Sequence, residues 1–111
     1  MNEKVYTIEE LKEGFSKIVK TGPFEIIKKI YLFGSYARGE ATAKSDIDIV
    51  VETFGKPSIR LFGLYDYIED VFGKHCDVLT VNEIRDLCYE TYLRERVLVY
   101  DRKRVVQKAR N

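Results

Sequence analysis

The sequence predicts an α/β fold in which helices flank a small mixed β-sheet. Segments with apolar residues at helical spacing alternate with segments rich in β-branched residues, and glycine or proline separates many of them. The chain has 111 residues, a length that suits one domain with a modest core, since single domains span roughly 100–200 residues. We therefore expect one domain over residues 1–111.

The first helix is predicted from a start signal and a stop signal. Thr7 followed by Glu10 forms a capping box, after which apolar residues recur at helical spacing until the break at Gly22 and Pro23. The segment that follows is rich in β-branched and aromatic residues and is closed by Gly34. Residues 29–33 are therefore predicted to form the first strand.

The middle of the chain predicts two helices around a second strand. Residues 36–40 leave the first strand directly and form one or two helical turns. Residues 47–51 form the second strand, because they are mostly Ile and Val and a Phe-Gly pair and a proline follow them. Residues 61–72 form the next helix, with Ser58 as a candidate cap and Gly73 as the stop.

The last elements are a strand, a helix and a short edge strand. Residues 76–81 are predicted as the third strand, and Asn82 caps a helix that runs to about Leu93. Residues 97–100 are apolar and suit an edge strand. Cys76 is expected in the core and His75 in a loop rather than at a metal, because metal sites rarely use a lone histidine.

Charge is distributed unevenly along the chain. The formal net charge is +1, yet residues 94–111 carry +5 and the remaining residues carry −4. Near-neutrality excludes a protein that coats nucleic acid by bulk charge. A signal peptide and a membrane-length apolar run are both missing, and the two cysteines are too few for a disulfide framework. We therefore expect a cytosolic protein with reduced thiols and no membrane association.

Gly34 and Ser35 lie where the first strand turns into a helix. Backbone N–H groups at that point, together with the serine hydroxyl, can face an anion such as a phosphate. Glycine lets such a ligand approach the backbone closely. A Gly-Ser pair alone is more often an ordinary turn, so this feature needs support from elsewhere in the chain.

Asp46 and Asp48 provide that support. Residues i and i+2 of a strand point to the same face about 6.6 Å apart, at roughly 3.3 Å per residue, so the two carboxylates converge while Ile47 and Ile49 face the core. Their repulsion suggests a bound divalent cation, although solvated aspartates on an edge strand are the alternative. If Asp77 lies on a neighbouring strand, three carboxylates can hold two Mg²⁺ ions about 3.5–4 Å apart, which supports nucleotidyl transfer.

This combination resembles the signature of the minimal nucleotidyltransferases of the DNA polymerase beta superfamily. A Gly-Ser pair is followed, after ten residues, by the Asp-x-Asp pair, and a third aspartate stands in a later strand. The resemblance is close over residues 31–52 and implies a polymerase beta-like fold. The residues that carry it are Gly34, Ser35, Arg38, Gly39, Ser45, Asp46, Asp48 and Asp77.

The resemblance implies a role for each carboxylate. Asp46 and Asp48 would bind both Mg²⁺ ions, and Asp77 would hold one ion and orient or deprotonate the attacking hydroxyl. That hydroxyl would attack the α-phosphorus of ATP and release pyrophosphate. All three aspartates are therefore candidate catalytic residues and candidate metal ligands.

The resemblance also implies which residues bind the nucleotide. Gly34 and Ser35 would hold the β and γ phosphates, and Arg38 and Ser45 are further candidates. For Arg38, a phosphate contact and a structural ion pair are equally open, since arginine serves both uses.

The small size further resembles the antitoxin half of modules whose partner is a HEPN-domain RNase toxin. The resemblance implies transfer of AMP from ATP to a tyrosine of that toxin, within a hetero-oligomer and without direct sequence-specific contact to nucleic acid. The basic segment 94–111 could dock on the partner or on RNA held by it, or be a solvated terminus. The alternatives are an antitoxin that only masks the RNase, and a small-molecule or nucleic-acid nucleotidyltransferase of the aminoglycoside-modifying kind.

Overall fold

The computed structural model describes residues 3–57 and 59–102. Within them lie four α-helices, one 3₁₀ turn and four strands. The helices are α1 (Ile8–Thr21), α2 (Gly34–Arg38), α3 (Leu64–Phe72) and α4 (Val81–Glu95), the 3₁₀ turn is Ile59–Gly63, and the strands are β1 (Ile27–Phe33), β2 (Ile47–Thr53), β3 (Cys76–Thr80) and β4 (Val97–Asp101). The predicted α/β class is confirmed.

The four strands form one mixed sheet in the order β3-β2-β1-β4. β1 pairs antiparallel with both β2 and β4, whereas β2 and β3 are parallel. The parallel pair requires a crossover, which the 3₁₀ turn and α3 provide. β4 lies at an edge, as predicted, and the carboxylate-bearing strands β2 and β3 are neighbours.

Two apolar clusters hold the sheet between helices. The larger one packs α1 and α3 on one face, with fully buried side chains such as Phe15, Ile30 and Ile68. The smaller one packs α4 on the opposite face, where Val50 contacts Ile84 and Tyr92. Alternate residues of β2 therefore enter different clusters, as the period-two pattern of a strand requires.

Several predicted boundaries were wrong by one to a few residues: β2 ends at Thr53 rather than at 51, β3 ends at Thr80 rather than at 81, and three further elements begin elsewhere. β1 begins at Ile27 rather than at 29, because the antiparallel partner β2 extends to Thr53 and pairs with it. The short helix α2 begins at Gly34 itself. The helix predicted from 61 is a 3₁₀ turn up to Gly63 and an α-helix only from Leu64; Ser58, its predicted cap, lies outside the described residues.

The cap of the last helix was also wrong. Thr80, not Asn82, caps α4: the Thr80 hydroxyl accepts from the Glu83 N–H at 3.3 Å, and the Glu83 carboxylate accepts from the Thr80 N–H at 2.9 Å. The reciprocal pair is a second capping box, and α4 continues past Leu93 to Glu95. Sequence reasoning placed Thr80 inside the strand and so missed it.

The Thr80→Ala variant should lower the free energy of unfolding by about 1 kcal/mol, since it removes a capping hydroxyl. Asn82→Ala is the matched control, because Asn82 lies in the first turn without a capping role, and it should change stability by less than about 0.5 kcal/mol. Urea denaturation of both variants measures the difference. A larger loss from Asn82→Ala than from Thr80→Ala would contradict the assignment.

The start of the basic segment is part of the fold. Arg102 donates to the carbonyls of Ile27 at 2.7 Å and Phe24 at 3.1 Å, and so ties the end of β4 to the start of β1. Residues 97–101 pair with β1 as the predicted edge strand, so the alternative of a solvated terminus does not hold for this part of the basic segment. Residues 103–111, which carry the rest of the predicted docking segment, lie outside the described residues.

The two cysteines agree with the expectation of free thiols. Cys76 and Cys88 are free thiols, and Cys76 is fully buried. Burial raises the pKa of the Cys76 thiol, so it remains protonated. No helix in the described ranges combines the length and apolar character that a membrane crossing needs.

Candidate active site

The three predicted aspartates lie together at one end of the parallel strand pair. Asp48 of β2 and Asp77 of β3 are direct partners in the parallel register. Asp46 stands one residue before β2, and its carboxylate can approach that of Asp77 within 4.8 Å. The crossover from β2 to β3 therefore assembles carboxylates that are about thirty residues apart in sequence.

Asp48 is the least exposed of the three. Burial raises the pKa of Asp48 to about 6, and the charge of Asp77 acts in the same direction. Asp46 adds a smaller increase, while Arg38 opposes it. Such crowding is unfavourable for the protein alone and favours a bound cation.

The ligand atoms of this cluster, carboxylate oxygens with one imidazole nitrogen, fit a divalent cation. Asp46, His75 and Asp77 each offer one ligand atom within 4.8 Å of the others, and the half-buried Asp48 is adjacent through Asp77. Carboxylate oxygens with open positions for phosphate are what Mg²⁺ prefers. Mg²⁺ itself and the number of ions stay predictions.

The raised pKa of Asp48 predicts a pH dependence of stability in EDTA. The folded-state pKa of about 6 exceeds the ordinary aspartate value of 3.8, so the folded protein holds this proton more tightly than the unfolded chain. That stabilisation is complete below about pH 4 and is lost as the pH rises through about 6. Wild type should therefore lose stability relative to Asp48→Asn across this window.

Urea unfolding in EDTA between pH 4 and 7.5 tests this. Solvent screening at a half-buried carboxylate reduces the expected difference at pH 7.5 to about 1 kcal/mol in favour of Asp48→Asn. Parallel pH profiles for the two proteins would show that the Asp48 carboxylate is not perturbed.

Gly34 opens α2 directly against this cluster. Its φ is +71°, and a Cβ atom built there would lie 2.5 Å from Oδ2 of Asp48. Only glycine combines this left-handed conformation with so close an approach. The turn that follows β1 is therefore in contact with the carboxylate on β2, as a shared site for phosphate and metal requires.

Ser35 follows in the first turn of α2. Its backbone carbonyl accepts from the Glu40 N–H at 2.9 Å, which closes the short helix. The Ser35 side chain is partly exposed beside Gly34. Its contact with a phosphate stays a prediction.

Arg38 forms a structural ion pair, which is one of the two roles that the sequence left open for it. Its guanidinium lies 2.8 Å from the Glu40 carboxylate and 3.4 Å from that of Glu95. The second contact joins α2 to the end of α4. A phosphate contact by Arg38 stays a prediction and would have to compete with these exposed pairs.

Ser45 shapes the loop before Asp46. Its hydroxyl accepts from the Thr42 N–H at 2.8 Å. The hydrogen bond closes the turn that leads into the Asp-x-Asp pair, which gives Ser45 a structural use. A role of Ser45 in nucleotide binding stays a prediction.

Two residues beside the site make contacts that the sequence did not predict. His75 was expected apart from any metal site, yet one of its ring nitrogens lies within 4.8 Å of carboxylate oxygens of Asp46 and Asp77. His75 lies in a loop, as expected, but its Nε2 is 3.2 Å from the Asp77 carboxylate and its Nδ1 is 3.9 Å from that of Glu69. Lys74 is 7% exposed and donates to the carbonyl of Ala43 at 2.9 Å, which anchors the loop before Asp46. The i, i+2 relation of His75 to Asp77 was the available signal.

Comparison with known proteins agrees with this geometry. A family model described as nucleotidyltransferase domain matches residues 8–105. A Methanocaldococcus jannaschii protein, provisionally named a protein adenylyltransferase, is 40% identical over 86 residues, which cover 76% of this chain and 100% of that one. The protein adenylyltransferase MntA of Thermococcus cleftensis is 38% identical over 92 residues, covering 82% and 83% of the two chains.

Solved structures show the same fold. A toxin–antitoxin crystal structure with AMP-PNP matches with a TM-score of 0.66 at 20% identity, over 81% of this chain and 73% of that one. The tri-AMPylated HEPN toxin of Shewanella oneidensis in complex with its MNT antitoxin matches with a TM-score of 0.62 at 16% identity, over 91% and 78%. With the family model spanning almost the whole chain and relatives of this identity, the protein belongs to the nucleotidyltransferase-domain family and is related to the MntA-type adenylyltransferases.

Proposed function

We propose that this protein is an antitoxin that transfers AMP from ATP to a tyrosine of a HEPN-domain RNase toxin. The observation that carries the proposal is the direct pairing of Asp48 with Asp77, against which Gly34 packs. This arrangement joins a carboxylate cluster to a phosphate-binding turn. The relatives named as protein adenylyltransferases support the choice of acceptor class.

In this proposal, one group of residues binds the phosphates of ATP and another binds the metal ion. The N–H groups at the start of α2 and the Ser35 hydroxyl hold the β and γ phosphates, because they lie at a strand-to-helix turn, where such groups can face an anion. Asp46, Asp48 and Asp77 would hold Mg²⁺, which supplies charge stabilisation for the phosphoryl oxygens.

Asp77 has the position of the base. It is exposed at the edge strand β3, where an acceptor hydroxyl can reach it from outside the sheet. Asp77 takes the tyrosine proton while the phenolic oxygen forms a bond to the α-phosphorus. The bond from the α-phosphorus to the bridging oxygen breaks, and pyrophosphate leaves with that electron pair.

The test is transfer of label from α-labelled ATP with Mg²⁺ to a co-expressed RNase partner, followed by mass spectrometry of the modified residue. We expect an adenylyl adduct on tyrosine and loss of RNase activity in proportion to it. A partner that is neutralised with no label would leave masking as the mechanism, and label on a small molecule would contradict the proposal.

A further inference from the structure

A groove lies on the α4 face of the sheet, at the opposite end of β2 from the candidate active site. Its volume is about 470 Å³, and β1, β2 and α4 supply most of its walls, a size typical of small-molecule sites. The three site aspartates are not among its lining residues. Between Asp48 and this groove, Val50 is covered by Ile84 and Tyr92.

Three cations line the groove: Lys29, Arg85 and Arg96. In the part of the chain that the structure describes, none of them has a carboxylate within 4 Å, in contrast to Arg38. Glu52 is the sole acidic lining residue, and it faces Lys28 at 3.8 Å. The groove thus concentrates positive charge on a body whose residues 1–93 carry −4.

Aromatic rings, rather than carboxylates, hold the two arginines. The Arg96 guanidinium lies 4.1 Å from the ring centroid of Tyr31 and 5.3 Å from the ring centroid of Tyr92. The Arg85 guanidinium lies 5.5 Å from the ring centroid of Tyr89. Stacking fixes a guanidinium plane while leaving its N–H donors available for a bidentate anion. The arrangement is typical of phosphate recognition.

Tyr92 connects the groove to the core beneath it. It is 2% exposed, lines the groove and packs against Val50 and Ile84. Burial raises the pKa of its hydroxyl, and the neighbouring Arg96 guanidinium acts in the opposite direction. Two tyrosines of the groove wall, Tyr31 and Tyr92, therefore position Arg96.

We propose that this groove is a second nucleotide site, in which Arg85, Arg96 and Lys29 hold the phosphates and the partly exposed Tyr89 ring contacts the base. Base stacking on tyrosine is favourable and sequence-tolerant. Because the cations come from the protein, binding does not require Mg²⁺. Independence from Mg²⁺ distinguishes the groove from the carboxylate cluster. The proposed binding does not depend on whether the protein transfers AMP.

Equilibrium dialysis of the full chain with labelled ADP in EDTA tests the site. Binding should persist in the Asp46→Asn, Asp48→Asn double variant, which removes metal binding at the other site. Arg85→Gln and Arg96→Gln should each raise the Kd for ADP by about tenfold or more. Arg85 is exposed, so its substitution keeps the fold even if that of Arg96 does not.

Arg94→Gln is the matched control. It removes the same charge from α4, but Arg94 lies outside the groove and contacts Thr91, so the Kd should stay within about twofold. Equal weakening by Arg94→Gln would overturn the proposal, as would the absence of ADP binding in EDTA. Inorganic pyrophosphate that binds as tightly as ADP would also overturn the proposal, because the base would then contribute nothing to binding. An acidic peptide that binds the groove when ADP does not would overturn it as well.

Discussion

The Asp46→Asn, Asp48→Asn double variant should remain folded and lose AMP transfer by about a thousandfold or more. Each substitution removes a negative charge from the carboxylate cluster, in which Asp48 lies opposite Asp77 on the neighbouring strand. Metal coordination supplies several kcal/mol of transition-state stabilisation, and about 4 kcal/mol corresponds to a thousandfold in rate. The measurement is the initial rate of label transfer to the toxin partner at saturating ATP.

Folding and activity should change in opposite directions in this variant. Since the cluster raises the pKa of Asp48, neutral amides should keep or raise the melting temperature in EDTA. Asp70→Asn is the control: Asp70 is exposed on α3, and this variant should transfer AMP at the wild-type rate. A double variant with wild-type transfer would exclude the carboxylates from the chemistry, and one that still neutralises the toxin without transfer would establish masking.

Gly34→Ala should lower AMP transfer by about a hundredfold, with a loss of about 1–2 kcal/mol of stability that leaves the protein folded. The added Cβ would lie 2.5 Å from Oδ2 of Asp48 and 3.3 Å from its Cγ. The Asp48 carboxylate can relieve this contact by turning away, so the fold survives. A displacement of about 1 Å at a reacting group costs roughly a hundredfold in rate.

Gly55→Ala is the matched control for backbone strain. Gly55 has φ +78°, close to the +71° of Gly34, and a Cβ atom added at Gly55 would meet nothing within 4 Å. Both variants should lose about 1–2 kcal/mol of stability from the left-handed conformation, measured by urea denaturation. Only Gly34→Ala should lose transfer; an equal loss in both would assign the effect to strain and not to Asp48.

The elements were predictable wherever a local signal defined them. The capping box of Thr7 and Glu10 is present, with the Thr7 hydroxyl and the Glu10 carboxylate each accepting a backbone N–H. Gly73 ends α3 in the left-handed conformation, as expected. These signals lie within a few residues of the element that they define, so one sequence suffices to read them.

The convergence of the aspartates was predictable only in part. The alternation of a strand places Asp46 and Asp48 on one face, but Asp77 joins them only if β3 lies beside β2, and strand order is not a local property. Family resemblance supplied that information. The ion pair between Arg38 and Glu95 could not be predicted from local sequence, because the two residues are 57 positions apart.

The contacts that loop side chains make with the site were not predictable beyond the local spacing of His75 and Asp77. His75 and Lys74 come from the loop before β3, and their contacts depend on where the crossover returns to the sheet. The contacts that the basic segment makes with β1 could not be predicted for the same reason. Arg102 and Arg96 bind a carbonyl and a tyrosine of β1, which no count of charges reveals.

The parallel pairing of β2 and β3 also bears on how the protein folds. Asp48 and Asp77 are separated by the 3₁₀ turn and α3, so the unfolded chain does not hold them together. Bringing distant segments together costs loop-closure entropy. We expect a cation bound by both strands to slow unfolding and prolong the lifetime of the native state, with little effect on the folding rate.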